Sequence, residues 1–100
     1  MSLVVIETGI ANVGSVINMC RRLGNDPVVS GDPGVIASAE KLILPGVGTF
    51  DASMTNLHNS GLAEALQLRA SEGVPLLGIC LGMQLLFDSS EEGVVTGLGL

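Results

Sequence analysis

Short apolar runs alternate along this chain with longer stretches in which apolar residues recur at helical spacing. Leu3 to Glu7 predicts a first strand, and Gly9-Ile10-Ala11-Asn12-Val13-Gly14 follows as a turn opening into a helix, with Asn12 as its N-cap. That helix carries an apolar stripe through Val13, Val16, Ile17 and Leu23 and stops at Gly24, with Pro27 just beyond. Pro27 to Ser30 predicts a short second strand. Asp32-Pro33 sets an N-cap before proline at the first helical position, starting a short helix or turn that runs to about Ser38. Lys41 to Leu44 predicts a third strand, ending in a Pro45-Gly46-Val47-Gly48 loop whose glycines let backbone approach a ligand. Thr49 to Ser60 and Leu62 to Glu72 predict a helix broken at Gly61, or two short ones, with Gly73 as the final cap. Val74 to Ile79 is almost wholly apolar and predicts a strand buried on both faces; Leu81 to Phe87 predicts a helix. The tail breaks the pattern: Asp88 to Gly93 is polar, and Gly97 to Leu100 stops with no capping element in view.

Strands and helices joined by short connections predict an α/β fold: a right-handed parallel sheet with helices on both faces. Ligands gather at the carboxyl ends of the strands in such sheets. The turn at Gly9, the loop from Pro45 to Gly48 and the junction at Cys80 all fall at predicted carboxyl ends, so three glycine-bearing turns converge on one expected site.

The chemistry centres on Gly78-Ile79-Cys80-Leu81-Gly82-Met83-Gln84. A cysteine between strand and helix, with glycines two residues before and two after, repeats the logic of a nucleophile elbow, where the turn is too tight for flanking side chains. Backbone N–H groups at a helix start favour negative charge on the sulfur, which makes Cys80 the candidate nucleophile. The N–H of Leu81 is then aimed at an oxyanion forming on an attacked carbonyl. Pro45 to Gly48 would supply a second donor, although the same loop also reads as a plain tight turn. Gln84, one helical turn past Cys80, could hold a polar substrate over the sulfur.

Other functions find less support. Gly9 to Gly14 occupies the place of a dinucleotide fingerprint, with Asp32 available as the acidic partner, but Ala11 puts a methyl group where a pyrophosphate should approach. Cys20 sits in the first helical stripe and reads as a packing residue. His58 reads as a surface or cap residue, and neither a disulfide framework nor metal-ligand spacing is seen. The net charge of −6 leaves no electrostatic footprint for nucleic acid or an anionic membrane. Only 14% of the 100 residues are charged and 47% are hydrophobic, so much of the surface is apolar or covered; the length supports one domain at most. The start has no basic leader region and no apolar stretch reaches spanning length, which predicts a soluble cytoplasmic protein.

Together these motifs resemble the class I glutamine amidotransferases of the triad type, over the whole chain. Gly78 to Gln84 matches that family's nucleophile motif. Leu44-Pro45-Gly46-Val47-Gly48, Thr8-Gly9-Ile10-Ala11-Asn12-Val13 and Ser90-Glu91-Glu92-Gly93 look like one branch, the glutaminase that serves imidazole glycerol phosphate synthase in histidine biosynthesis. Glu7 to Asn12 departs from the Asp-Tyr-Gly-x-Gly-Asn common among members. The resemblance implies a flavodoxin-like open parallel sheet, of which residues 1–100 form the N-terminal half of a single domain. It implies a glutaminase that forms a glutamyl thioester on Cys80, with Gly46, Val47 and Leu81 lining the oxyanion site and Gln84 and Glu92 holding the polar ends of glutamine. It implies no cofactor and no metal, and a barrel-shaped synthase (cyclase) subunit as the partner that receives ammonia in a heterodimer. The family's catalytic His and Glu belong to a second half that these residues do not supply, and His58 does not lie in its His-x-Glu motif. The 100 residues alone are therefore expected to be inactive. Two alternatives stay open: an amidotransferase feeding a different synthase, and a flavodoxin-like redox sensor using Cys80.

Overall fold

The computed structural model describes residues 2–8, 13–46, 48–91, 93 and 95–100. Among them are four strands, β1 (Leu3–Ile6), β2 (Val28–Ser30), β3 (Lys41–Gly46) and β4 (Leu76–Cys80), and five helices, α1 (Gly14–Arg22), α2 (Pro33–Ile36), α3 (Phe50–Asn59), α4 (Leu62–Ser71) and α5 (Leu81–Leu85). The strands lie in the order β2-β1-β3-β4 and every pairing is parallel. This is the flavodoxin-like order, and the expected α/β sheet is the one observed.

Side-chain alternation along the strands builds two unequal cores. Val4 and Ile6 of β1 and Leu42 and Leu44 of β3 face the larger one, with Ile36, Phe50, Met54, Leu57, Leu62, Leu66, Leu81 and Leu85 from α2 to α5. Val5 faces the other way, onto Val13 and Cys20, with Ile43 packed beside them. Residues of both parities are apolar because helices cover both faces, which is why β1 and β3 read as unbroken apolar runs. Coverage thins toward β4. There Leu77 is 57% exposed, and an open groove of about 380 Å³ runs between α1 and β4, lined by Met19, Cys20, Leu23, Ile43, Leu77 and Ile79.

Local chemistry accounts for the boundaries. Asp32 caps α2 through its Oδ1, which accepts the Gly34 N–H at 2.9 Å, and Pro33 opens the helix. Gly61 breaks the long helical stretch into α3 and α4 at φ 79°, a left-handed conformation that costs other residues about 1–2 kcal/mol. Asn12 lies outside the described residues, and α1 starts after Val13 with no side-chain cap.

Several boundaries differ from expectation. β4 begins at Leu76, not Val74, and runs through Cys80, and it is not buried on both faces, because α1 leaves Leu77 uncovered. β3 continues through Pro45 and Gly46, which pair with Ile79 and Cys80, so the loop is shorter than predicted. Strand pairing with β4 outweighs the turn preference of Pro-Gly there. α5 closes at Leu85, and its last turn tightens as Leu86 N–H donates to Met83 O and Phe87 N–H to Gln84 O, both at 3.2 Å. The tail folds back over that end. Gly97 N–H donates to Asp88 O at 2.8 Å and Leu98 N–H to Leu85 O at 2.8 Å, while Gln67 Nε2 holds the Leu98 carbonyl at 3.0 Å. These bonds cap α5, and Leu98, only 3% exposed, joins the larger core.

Unequal coverage gives a direct contrast. Truncating the fully buried Leu44 to Ala removes packing from a central strand and is expected to lower the unfolding free energy by about 2–5 kcal/mol. Truncating the exposed Leu77 should cost about 0.5 kcal/mol or less, and urea titrations of the two variants measure the difference.

Candidate active site

β4 delivers Cys80 to the carboxyl edge of the sheet, and α5 begins at the next residue. Cys80 has φ 56° and ψ −125°, and among the described residues it alone combines positive φ with a side chain larger than hydrogen. A residue held in such a sparsely populated conformation costs about 1–3 kcal/mol and persists only where its surroundings dictate it. Here β3 fixes one side of the junction through the Gly46–Cys80 pairing, and the buried Leu81 and Leu85 of α5 anchor the other. The cysteine side chain is left exposed at the turn.

Three glycines make that turn possible. A Cβ on Gly78 would lie 2.7 Å from the Met83 Cα and 2.8 Å from the Gly82 carbonyl oxygen. One on Gly82 would fall on the carbonyl oxygen of Leu44. One on Gly46 would lie 2.7 Å from the Gly82 nitrogen and 3.2 Å from the Leu81 carbonyl carbon. The first turn of α5 thus rests directly on the backbone of β3 and β4, which fixes the direction in which its leading N–H groups point.

The structure brings Cys80, Gly46 and Leu81 together at one corner of the sheet. Leu81 is the first residue of α5, where a helix leaves its N–H groups without intrahelical partners. Gln84 is exposed on α5, one turn past Cys80. Val47 and Glu92 lie outside the described residues, as do Gly9 to Asn12 of the first turn. Gly48 follows the strand end at φ 98°, and Thr49 then caps α3 by accepting the Ala52 N–H at 3.3 Å. His58 is exposed in the last turn of α3, eight residues beyond the end nearest the glycine loop, or about 12 Å along the helix. Cys20, on the sheet-facing side of α1, is 7% exposed and packs with Val5 and Val13, a structural thiol.

Sequence reading explained the glycines flanking Cys80 by the tightness of the turn alone. It missed that Gly82 and Gly46 pack on strand backbone, because the register that sets them together is a long-range property. It also passed over Asp51, which accepts the Val95 N–H at 2.9 Å and so joins α3 to the tail; an acidic residue in a first helical turn carries no signal of a partner so distant in sequence.

Alanine substitutions separate backbone contact from conformational freedom. Gly82→Ala must displace strand backbone and should lower the unfolding free energy by about 3 kcal/mol. Gly24→Ala, at φ 86° with open space around it, should cost only about 1–2 kcal/mol, and equal losses in urea denaturation would contradict the packing account.

Comparison with known proteins places this geometry. The family described as glutamine amidotransferase class-I matches residues 4–98. A relative from Methanococcus maripaludis, imidazole glycerol phosphate synthase subunit HisH 2, is 53% identical over 96 residues, covering 95% of this chain and 48% of the relative. Imidazole glycerol phosphate synthase subunit HisH from Synechocystis is 46% identical over 96 residues, and that from Geobacillus thermodenitrificans 52% over 97; each match covers 96% of this chain and 46% of the relative. The chain thus spans about half the length of these relatives. With the family match running from β1 to the folded-back tail, the chain belongs to the class I glutamine amidotransferases.

Proposed function

We propose that these residues form the nucleophile-bearing N-terminal half of a glutaminase domain that supplies ammonia to a synthase making imidazole glycerol phosphate. The observation that carries the reading is the strained, exposed Cys80 seated on β3 backbone. Strain at an exposed thiol serves no packing purpose. It is what a nucleophile elbow requires.

In this reading Cys80 Sγ attacks the side-chain carbonyl carbon of glutamine. Negative charge collects on the carbonyl oxygen, where the Leu81 N–H and the backbone of the Gly46-Val47 loop stabilise it; such donors are worth about 3–4 kcal/mol each in comparable sites. The C–N bond then breaks, the nitrogen leaves as ammonia after taking a proton, and a glutamyl thioester remains on Cys80. Water hydrolyses the thioester to glutamate and frees the thiol. Gln84 and Glu92 bind the polar ends of the substrate. The base that takes and returns the proton is the family's His, paired with Glu, in residues beyond those described. His58 sits at the wrong end of α3 for that task.

The partner is a synthase subunit that consumes the ammonia, as the names of the HisH relatives suggest, and the setting is cytoplasmic biosynthesis. Among the described residues no helix is long and apolar enough to cross a membrane. A redox sensor on the same fold would need the exposed thiol but neither Gln84 nor the backbone contact between Gly46 and α5.

Ammonia release from glutamine by the full natural chain should require the synthase partner, and Cys80→Ser should lower it by at least about a thousandfold. Turnover that survives the substitution, or absence of turnover with the partner present, would overturn the reading.

A further inference from the structure

Gly97-Leu98-Gly99-Leu100, which breaks the strand-and-helix pattern of the sequence, closes on the end of α5. Beyond the tightened last turn of that helix, successive carbonyls need partners, and residues 97–100 supply them. Leu85 O accepts the Leu98 N–H at 2.8 Å, Leu86 O that of Leu100 at 2.6 Å, Phe87 O that of Gly99 at 3.2 Å and Asp88 O that of Gly97 at 2.8 Å. The two glycines serve different needs. A Cβ on Gly97 would overlap the Phe87 carbonyl oxygen and lie 3.0 Å from Phe50 Cζ. Gly99 stands at φ 69°, and a Cβ there would lie 2.9 Å from Oδ1 of the exposed Asp88, a side chain that can swing aside. Between them Leu98 is buried in the core that also holds Leu81 and Leu85, and Gln67 of α4 donates to its carbonyl at 3.0 Å.

α5 has five residues, far short of the roughly 12–15 at which a helix begins to hold itself in water, so its place is set by what meets its two ends. At its start it lies on backbone at Gly46 and Gly78; at its end it is bonded by residues 97–100. Leu81, the oxyanion donor of the glutaminase reading, and Leu85, which Leu98 bonds, stand one turn apart, about 6 Å along the helix.

We propose that residues 97–100 are a positioning clamp for the oxyanion donor: by holding the far end of α5 they fix its first turn, and with it the Leu81 N–H relative to Cys80, without touching substrate. This rests on the glutaminase reading. A misdirected donor loses stabilisation that arises only as charge develops on the attacked carbonyl, so the clamp acts on kcat and leaves KM nearly unchanged.

The test uses the full natural chain with its synthase partner, measuring kcat, KM for glutamine and the urea midpoint of each variant. Gly99→Ala strains the clamp and leaves the core in place; it should lower kcat about tenfold with KM within about twofold. Gly99→Asn, which tolerates positive φ better, should recover most of the loss. Ile36→Val, in the same core but on α2, should lower the urea midpoint and leave kcat unchanged. An unchanged kcat in Gly99→Ala, a rise in KM at constant kcat, or an equal fall of kcat in Ile36→Val would overturn the proposal. A parent chain that releases no ammonia with the synthase present is instead a failure of the glutaminase reading. Amide exchange at Leu85 then decides the mechanical link by itself: faster exchange in Gly99→Ala supports the clamp, and an unchanged rate refutes it.

Discussion

Backbone lies on backbone where α5 meets the ends of β3 and β4, and the candidate site depends on that contact. A helix usually rests on a sheet through a layer of side chains, with the two separated by their thickness. Here Gly46, Gly78 and Gly82 remove the layer, so the first turn of α5 lies directly on the Leu44 carbonyl and on the backbone at Gly46 and Gly78. The chain can pass from β4 into α5 within one residue only at this separation, and Cys80 takes up the resulting strain at φ 56°. The anchors are ordinary: Leu81 and Leu85 buried in the larger core, and a paired strand on the other side. Strain of a few kcal/mol is sustained because every neighbouring group is fixed by packing that does not involve the sulfur.

Sheet order explains the rest of the arrangement. With β1 and β3 adjacent, the connection leaving β1 turns to the face covered by α1, and that leaving β3 turns to the face covered by α3 and α4. The strand ends are thereby left uncovered at one edge, where the glycine loop and the elbow meet. α3 starts from that edge and brings Asp51 toward the returning tail. The larger core, on the side of α2 to α5, is continuous from Val4 to Leu98 and gives the elbow its support. The α1 side is thinner, and Leu77 and Ile79 of β4 border its open groove.

Much of this was legible in the residues. Apolar runs bounded by Gly, Pro and Asp placed all four strands, Asp32-Pro33 placed the start of α2, and Gly61 placed the break between α3 and α4, because each signal acts within a few residues of itself. The elbow was legible for the same reason, since Gly-x-Cys-x-Gly is a local demand of a tight turn. What escaped were the consequences of register and return. Pro45 and Gly46 look like a loop until β4 pairs with them, and Gly97 to Leu100 looks like an abrupt stop until the tail is seen bonding to the end of α5. Neither is encoded by residues close enough in sequence to be read together. The tie from Asp51 to Val95 belongs to the same class.

The account's central claim is that strain and exposure make Cys80, and not Cys20, the nucleophile. The most direct measurement is to incubate the full natural chain and its partner with an electrophilic analogue of glutamine and map the adduct by mass spectrometry. The account predicts a single adduct on Cys80, slowed by added glutamine, with the buried Cys20 unmodified. Labelling of Cys20 at a comparable rate, or an adduct on Cys80 that glutamine does not slow, would contradict it.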